Sequence, residues 1–132
     1  MEKFPTTHAL IVEDDKASAD VLIDLLEQLK VHHTTLFDSR DVVSVMQQLG
    51  SIDVVFLDLQ MPEVNGYEVL STIQDMPEFA SVPVVAYTSH NSEMANAREA
   101  GFHSFLGKPL RGKQFAEQLA KILANQPVWA VR

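Results

Sequence analysis

Asp58 closes the apolar run Val54-Val55-Phe56-Leu57, and three other apolar runs lead to residues of related chemistry. Glu13-Asp14-Asp15 follows Ala9-Leu10-Ile11-Val12, Thr88-Ser89 follows Val84-Val85-Ala86-Tyr87, and Lys108-Pro109 comes soon after Phe105-Leu106. A carboxylate at the end of a buried strand is costly unless its charge is compensated. Brought to one place, Glu13, Asp14 and Asp58 would repel one another and raise each other's pKa, a conflict that a divalent cation resolves. An all-oxygen donor set without Cys or His suits Mg²⁺, with Mn²⁺ as a substitute. Such an ion keeps waters and accepts phosphate oxygens, and a carboxylate beside it is a competent nucleophile toward phosphorus. The Thr88 hydroxyl and the Lys108 ammonium could each hold a phosphoryl oxygen. Taken singly, these residues have plainer readings: helix caps, loop-end acids, a strand-end hydroxyl, a solvated lysine. Their arrival at four strand ends is what argues for a shared site. Two prolines bear on it. Pro62, with Gly66, shapes the loop after Asp58, and the bond before Pro109, if cis, would aim Lys108 inward.

Five alternations of apolar run and amphipathic stretch must position these groups. The runs near residues 8–13, 33–37, 53–58, 82–88 and 103–107 read as strands, three of them apolar almost throughout, as in a parallel sheet covered on both faces. Helical spacing recurs in Val21, Leu22, Leu25, Leu26 and Leu29, then in Val42, Val45, Met46 and Leu49, then in Val69, Leu70 and Ile73, and finally in Phe115, Leu119, Ile122 and Leu123. Ser92 to Ala100 is Ala-rich and weakly amphipathic. Gly50 and Gly101 stand where helices should stop, Asp38 or Ser39 and Asn91 where they could be capped, and Pro83 opens a strand. The pattern predicts an α/β fold, a (βα)5 doubly wound parallel five-stranded sheet, whose ligands bind at the carboxyl ends of the strands.

With 132 residues the chain is read as a single domain, with a core over about 7–125 and a short tail at 126–132 containing Trp129. Trp129 is expected to pack against the last helix, with anchoring of a partner as the alternative. Apolar content of 46% and charged content of 21% are ordinary for a globular protein. Cysteine is absent, which removes disulfides and thiolate chemistry and fits a reducing cytoplasm. No segment reaches the ~18–20 apolar residues of a membrane span. The net charge of −8 argues against a nucleic-acid surface. His32-His33, His8 and His103 lack ligand spacing for zinc.

In order and spacing, Glu13-Asp14, Asp58-x-x-Met61-Pro62-x-x-x-Gly66, Thr88-Ser89 and Lys108-Pro109 resemble the receiver domain of two-component response regulators, in its single-domain chemotaxis-regulator-like form. The resemblance implies a flavodoxin-like sheet of strand order 2-1-3-4-5. It makes Asp58 the phospho-acceptor, charged by a sensor histidine kinase or a phosphotransfer protein. Asp14 becomes a direct Mg²⁺ ligand, Glu13 acts mainly through water, and the Gln60 carbonyl completes the set with Asp58. Thr88 becomes the switch hydroxyl and Lys108 its partner on the phosphoryl group. Phe105 holds the aromatic switch position without a phenolic hydroxyl, though it reads equally well as a core aromatic. Gln60 and His90 occupy positions that tune dephosphorylation, His90 also reading as a solvated loop residue. The expected output is a change of the face formed by the fourth helix, fifth strand and fifth helix, in a monomer or a phosphorylation-dependent homodimer.

Two enzymatic or cofactor-binding readings compete. An aspartyl-phosphate phosphatase or mutase would place an acid two residues after its nucleophile, where Gln60 stands. A dinucleotide site would need a Gly-rich first turn in place of Glu13-Asp14-Asp15-Lys16. A receiver that has lost its chemistry is the third alternative, opposed by the full set of phosphorylation residues. The Met1 start and the tail favour a stand-alone protein over a domain cut from a longer regulator.

Overall fold

The structure, a computed structural model, describes residue 4, residues 6–61 and residues 65–130. Pro62 and the ends of the chain lie outside the described residues. Among the described residues six parallel strands form one sheet: β1 (His8–Val12), β2 (His32–Leu36), β3 (Val54–Asp58), β4 (Val84–Thr88), β5 (Ser104–Gly107) and β6 (Trp129–Ala130). Their order is β2-β1-β3-β4-β5-β6. The doubly wound arrangement and the order of the first five strands match the expectation. The sixth strand was not expected: residues 129–130 continue the winding beside β5, and Trp129, expected on the last helix, packs instead with the cluster on the α4 side.

Helices α1 (Lys16–Gln28), α2 (Val42–Leu49), α3 (Gly66–Gln74), α4 (Met94–Ala100) and α5 (Gly112–Leu123) fill the crossovers. Alternation along each strand divides the core between two faces. Leu10, Val12, Val55, Leu57, Val84, Ala86 and Phe105 pack with residues of α2, α3 and α4. Ala9, Ile11, Val54, Phe56, Val85, Tyr87 and Leu106 pack with residues of α1 and α5. Continuing the same alternation puts Glu13, Asp58 and Tyr87 on the α1/α5 side and Thr88 and Phe105 on the other.

Local signals set the helix ends. Asp15 caps α1, its carboxylate accepting from the Ser18 amide at 3.1 Å, and Asn65 caps α3 through the Glu68 amide at 3.0 Å. Asp38 caps a 3-10 turn at Ser39–Asp41 ahead of α2. Gly50 and Gly101 end α2 and α4 with φ of +72° and +104°, the left-handed region that favours glycine. Asn91 is a different matter. It opens a 3-10 turn (Asn91–Glu93) before α4 but caps nothing, since Glu93 takes the cap position of α4 without a side-chain hydrogen bond. The Oδ1 atom of Asn91 is buried without a partner. None of the helices among the described residues is long and apolar enough to cross a membrane.

Candidate functional site

The carboxyl ends of β1, β3, β4 and β5 lie side by side in the sheet, with the order reversing between β1 and β3. Registers Val12↔Leu57, Asp58↔Tyr87 and Thr88↔Gly107 bring the four strand-end groups to one edge. This is the topological switch point at which ligands bind in open parallel sheets. Asp58 is 4% exposed and Glu13 is fully buried, while Asp14 stands in the open. Glu13, Asp14 and Asp58 each offer a carboxylate oxygen, all within 4.8 Å of one another.

Lys108 reaches the same place from the loop after β5. Its Nζ donates to Glu13 Oε1 at 2.9 Å and lies 3.8 Å from Asp58 Oδ1. Its backbone amide donates to the Thr88 carbonyl at 2.8 Å, which ties the loop after β5 to the end of β4. The Lys108–Pro109 bond is cis. Gln60 is exposed and donates its backbone amide to Asp58 Oδ1 at 3.1 Å. Gly66 supports this loop closely, because a Cβ there would sit 2.8 Å from the Asp58 carbonyl oxygen and 2.9 Å from Leu59 Cα.

Tyr87 was not among the residues singled out in the sequence. Its hydroxyl donates to Glu13 Oε1 at 2.9 Å, the oxygen that also accepts from Lys108, and Lys108 Nζ stands 4.5 Å from its ring centroid. In an all-apolar run a tyrosine passes for core. Strand parity supplies the missing signal, since Tyr87 precedes Thr88 and therefore faces the side on which Glu13 lies.

Thr88 is buried, and its Oγ accepts from the His90 amide at 3.2 Å with His90 Nδ1 at 3.4 Å. His90 is thus an exposed residue that is nonetheless tied to the site hydroxyl. Phe105 is fully buried, paired with Ala86 on one side and Trp129 on the other.

These contacts polarise the acids. Burial, and then the Glu13 carboxylate, push the Asp58 carboxyl up to about 7, against the opposing Gln60 amide and Lys108. Burial acts in the same sense on Glu13, but hydrogen bonds from Asp58 and Lys108 outweigh it and hold Glu13 below its ordinary value. Asp14 is raised, by burial first and by the Glu13 charge among the lesser causes. Burial and the Glu13 charge keep Tyr87 protonated as a donor. Of the pair, Asp58 is thus the acid pushed toward its protonated form and Glu13 the one that favours its charged form, facing Lys108. Bringing a cation to the exposed Asp14 side favours releasing that proton. The donor set is hard oxygen throughout and opens to solvent at Asp14 and Gln60, as a partly hydrated Mg²⁺ requires.

A family model described as the response regulator receiver domain matches residues 9–120. A two-component response regulator of Oryza sativa subsp. indica, ORR3, is 30% identical over 81% of this chain and 83% of its own length. A response regulator structure from Chloroflexus aurantiacus J-10-fl superposes with a TM-score of 0.83, covering 89% of this chain and 98% of that one at 22% identity, a likeness of fold. The receiver domain of the Saccharomyces cerevisiae regulator Ssk1, solved with the histidine phosphotransfer protein Ypd1, gives a TM-score of 0.76 at 25% identity over 89% of both chains.

Proposed function

Since the chain belongs to the response regulator receiver domain family, we propose that it is a phosphorylation-controlled switch whose acceptor is Asp58. Receiver domains take part in phosphoryl signalling and act as switches, not as enzymes that turn over a substrate. What carries the assignment to Asp58 is its setting: a buried strand-end carboxylate with two acids offering oxygens within 4.8 Å and the Lys108 ammonium 3.8 Å away.

Asp14, Asp58 and the Gln60 carbonyl would hold Mg²⁺, with Glu13 acting mainly through water. When bound, that ion offsets the acids and the incoming phosphoryl oxygens. The chain's own residues do the rest. An Asp58 oxygen bonds to phosphorus as the nitrogen–phosphorus bond of a donor phosphohistidine breaks, so the histidine is the leaving group. Lys108, already 3.8 Å from Asp58, turns from Glu13 to a phosphoryl oxygen. The Thr88 hydroxyl, held now by His90, donates to another. Thr88 moving inward repacks Phe105 and the α4–β5–α5 face, a shift between two existing states. The start of α4 has no side-chain cap and the buried Asn91 oxygen has no partner, so that segment is held to α3 chiefly by the Tyr67 hydroxyl, which donates to Glu93 Oε1 at 2.7 Å. Gln60 and His90, both exposed at the mouth, would set how fast water removes the group.

A sensor histidine kinase or phosphotransfer protein is the proposed donor, in line with the complex in which the Ssk1 receiver was solved. We take residues 1–132 as a single receiver domain acting in the cytoplasm, monomeric or dimerising when phosphorylated. Intact mass after incubation with Mg²⁺ and acetyl phosphate tests the assignment. One added phosphoryl group is expected, absent with EDTA and absent in Asp58→Asn. A magnesium-independent adduct, or one that survives Asp58→Asn, would overturn it.

A further inference from the structure

Residues 125–130 cover a surface that the proposed switch needs. The edge of β5 lies between α4 and α5, and β6 occupies it in register, Phe105↔Trp129 and Leu106↔Ala130. The Phe105 amide donates to the Val128 carbonyl at 2.8 Å, and the Val128 amide donates to Ser104 Oγ at 3.0 Å. Trp129 packs against the core on the α4 side, while Val128 and Ala130 pack on the α5 side, so the segment straddles the edge. Arg98 of α4 stands over the Trp129 ring at 4.6 Å. Below, His103 fixes the turn that delivers the segment, with Nδ1 2.8 Å from the buried Ser104 Oγ and Nε2 3.0 Å from Asn125 Oδ1.

Resting on the reading of Asp58 as acceptor, we propose that residues 128–130 are a displaceable strap on the signalling face, bound in cis at rest and released when Asp58 is phosphorylated. Three observations carry this. Among the described residues the strand is two residues long, so few hydrogen bonds hold it there. Its supports are Phe105 and Arg98, one on the strand and one on the helix that the switch would move. The site it fills is a strand edge with an aromatic seat, the geometry by which extended peptides add to sheets. Its occupant at rest is this chain's own Val128-Trp129-Ala130. A partner segment of like chemistry, extended and carrying an aromatic residue, gains the edge only after the strap leaves.

Trp129 is the chain's one tryptophan, so its fluorescence reports the strap without labelling. In the full chain, phosphorylation confirmed by mass is expected to raise acrylamide quenching of Trp129 at least twofold, with no change in Asp58→Asn. His103→Ala should raise quenching without phosphodonor, because the turn loses its anchor. A second arm needs no phosphorylation. A labelled peptide with the sequence of residues 126–132 should bind full-length Trp129→Ala at least tenfold more tightly than the unaltered chain. Equal peptide affinity for the two proteins, or unchanged quenching in a phosphorylated sample, would refute the strap. A dimer in light scattering at rest that dissociates in Trp129→Ala would also refute the cis assignment, since the segment would then be exchanged between copies. Absence of the phosphoryl group refutes the acceptor reading instead, and the peptide arm still decides the strap.

Discussion

Replacing Asp58 by asparagine removes a charge that the fold opposes, and the expected result at pH 8 without Mg²⁺ is a more stable protein. The Asp58 carboxyl moves from an ordinary 3.8 to about 7 on folding. At 1.36 kcal/mol per pKa unit, holding it ionised in place opposes folding by at most about 4 kcal/mol. Water at the open Asp14 side relaxes part of that, leaving ~2 kcal/mol as the expected gain in Asp58→Asn. For a domain of this size that is a rise in Tm of roughly 6–10 °C. The sign follows from linkage. Because the folded pKa is the higher one, the folded state holds a proton that the unfolded state has lost between pH 3.8 and about 7, so the stability of the unaltered protein declines across that window. The advantage of Asp58→Asn should therefore be largest at pH 8 and shrink toward pH 5. Urea or thermal unfolding of both proteins at the two pH values checks this, and Mg²⁺ should close the gap at pH 8 by stabilising the unaltered protein more than Asp58→Asn. An Asp58→Asn protein no more stable than the unaltered one at pH 8, or a gap that does not depend on pH, would refute the reasoning.

Two further substitutions probe the scaffold of the site. Gly66→Ala would drive a Cβ to within 2.8 Å of the Asp58 carbonyl oxygen and 2.9 Å of Leu59 Cα, backbone that cannot step aside cheaply. A loss of about 1–3 kcal/mol in urea unfolding is expected, together with weaker Mg²⁺ binding, and a change below ~0.5 kcal/mol would count against it. Tyr87→Phe keeps the ring that meets Phe56 edge-on but removes the hydroxyl that donates to Glu13. Unfolding should show a loss of about 1–2 kcal/mol, and an unchanged midpoint would mean that Lys108 alone satisfies that oxygen.

Much of the site could be read from the chain because each of its groups interrupts an apolar run. Asp58, Thr88 and the acids at 13–14 stand out for the same reason that they are expensive to bury. Tyr87 escaped because its phenyl body belongs in a core and only its hydroxyl belongs to the site. The strand at 129–130 escaped for another reason. Val128-Trp129-Ala130 is too short for period-2 alternation to show, and its pairing comes from the crossover of α5 and the Ser104 hydroxyl, contacts that are distant in sequence. Asn91 had the residue type of a cap at a suitable place, but the chain takes a 3-10 turn first and moves the start of α4 past it. Two clusters on opposite faces followed from strand parity alone, whereas the tie between His90 and Thr88 depends on a local turn that composition does not reveal.

The partners of Glu13 have a mechanical consequence. Its Oε1 is held by both Tyr87 and Lys108 and its Oε2 by the Asp15 amide, so this carboxylate is braced at both ends. At rest, therefore, the wall of the site toward α1 is pinned by three donors on one side chain. Across from it, the Thr88 hydroxyl is held by the exposed His90, and the turn beyond is tied by the Tyr67 hydroxyl to Glu93 but leaves the Asn91 amide oxygen unanswered. On the proposed reading, a phosphoryl group on Asp58 would draw Thr88 toward it and shift the less firmly held side. Direction, in such a device, is set by where the fold declines to yield.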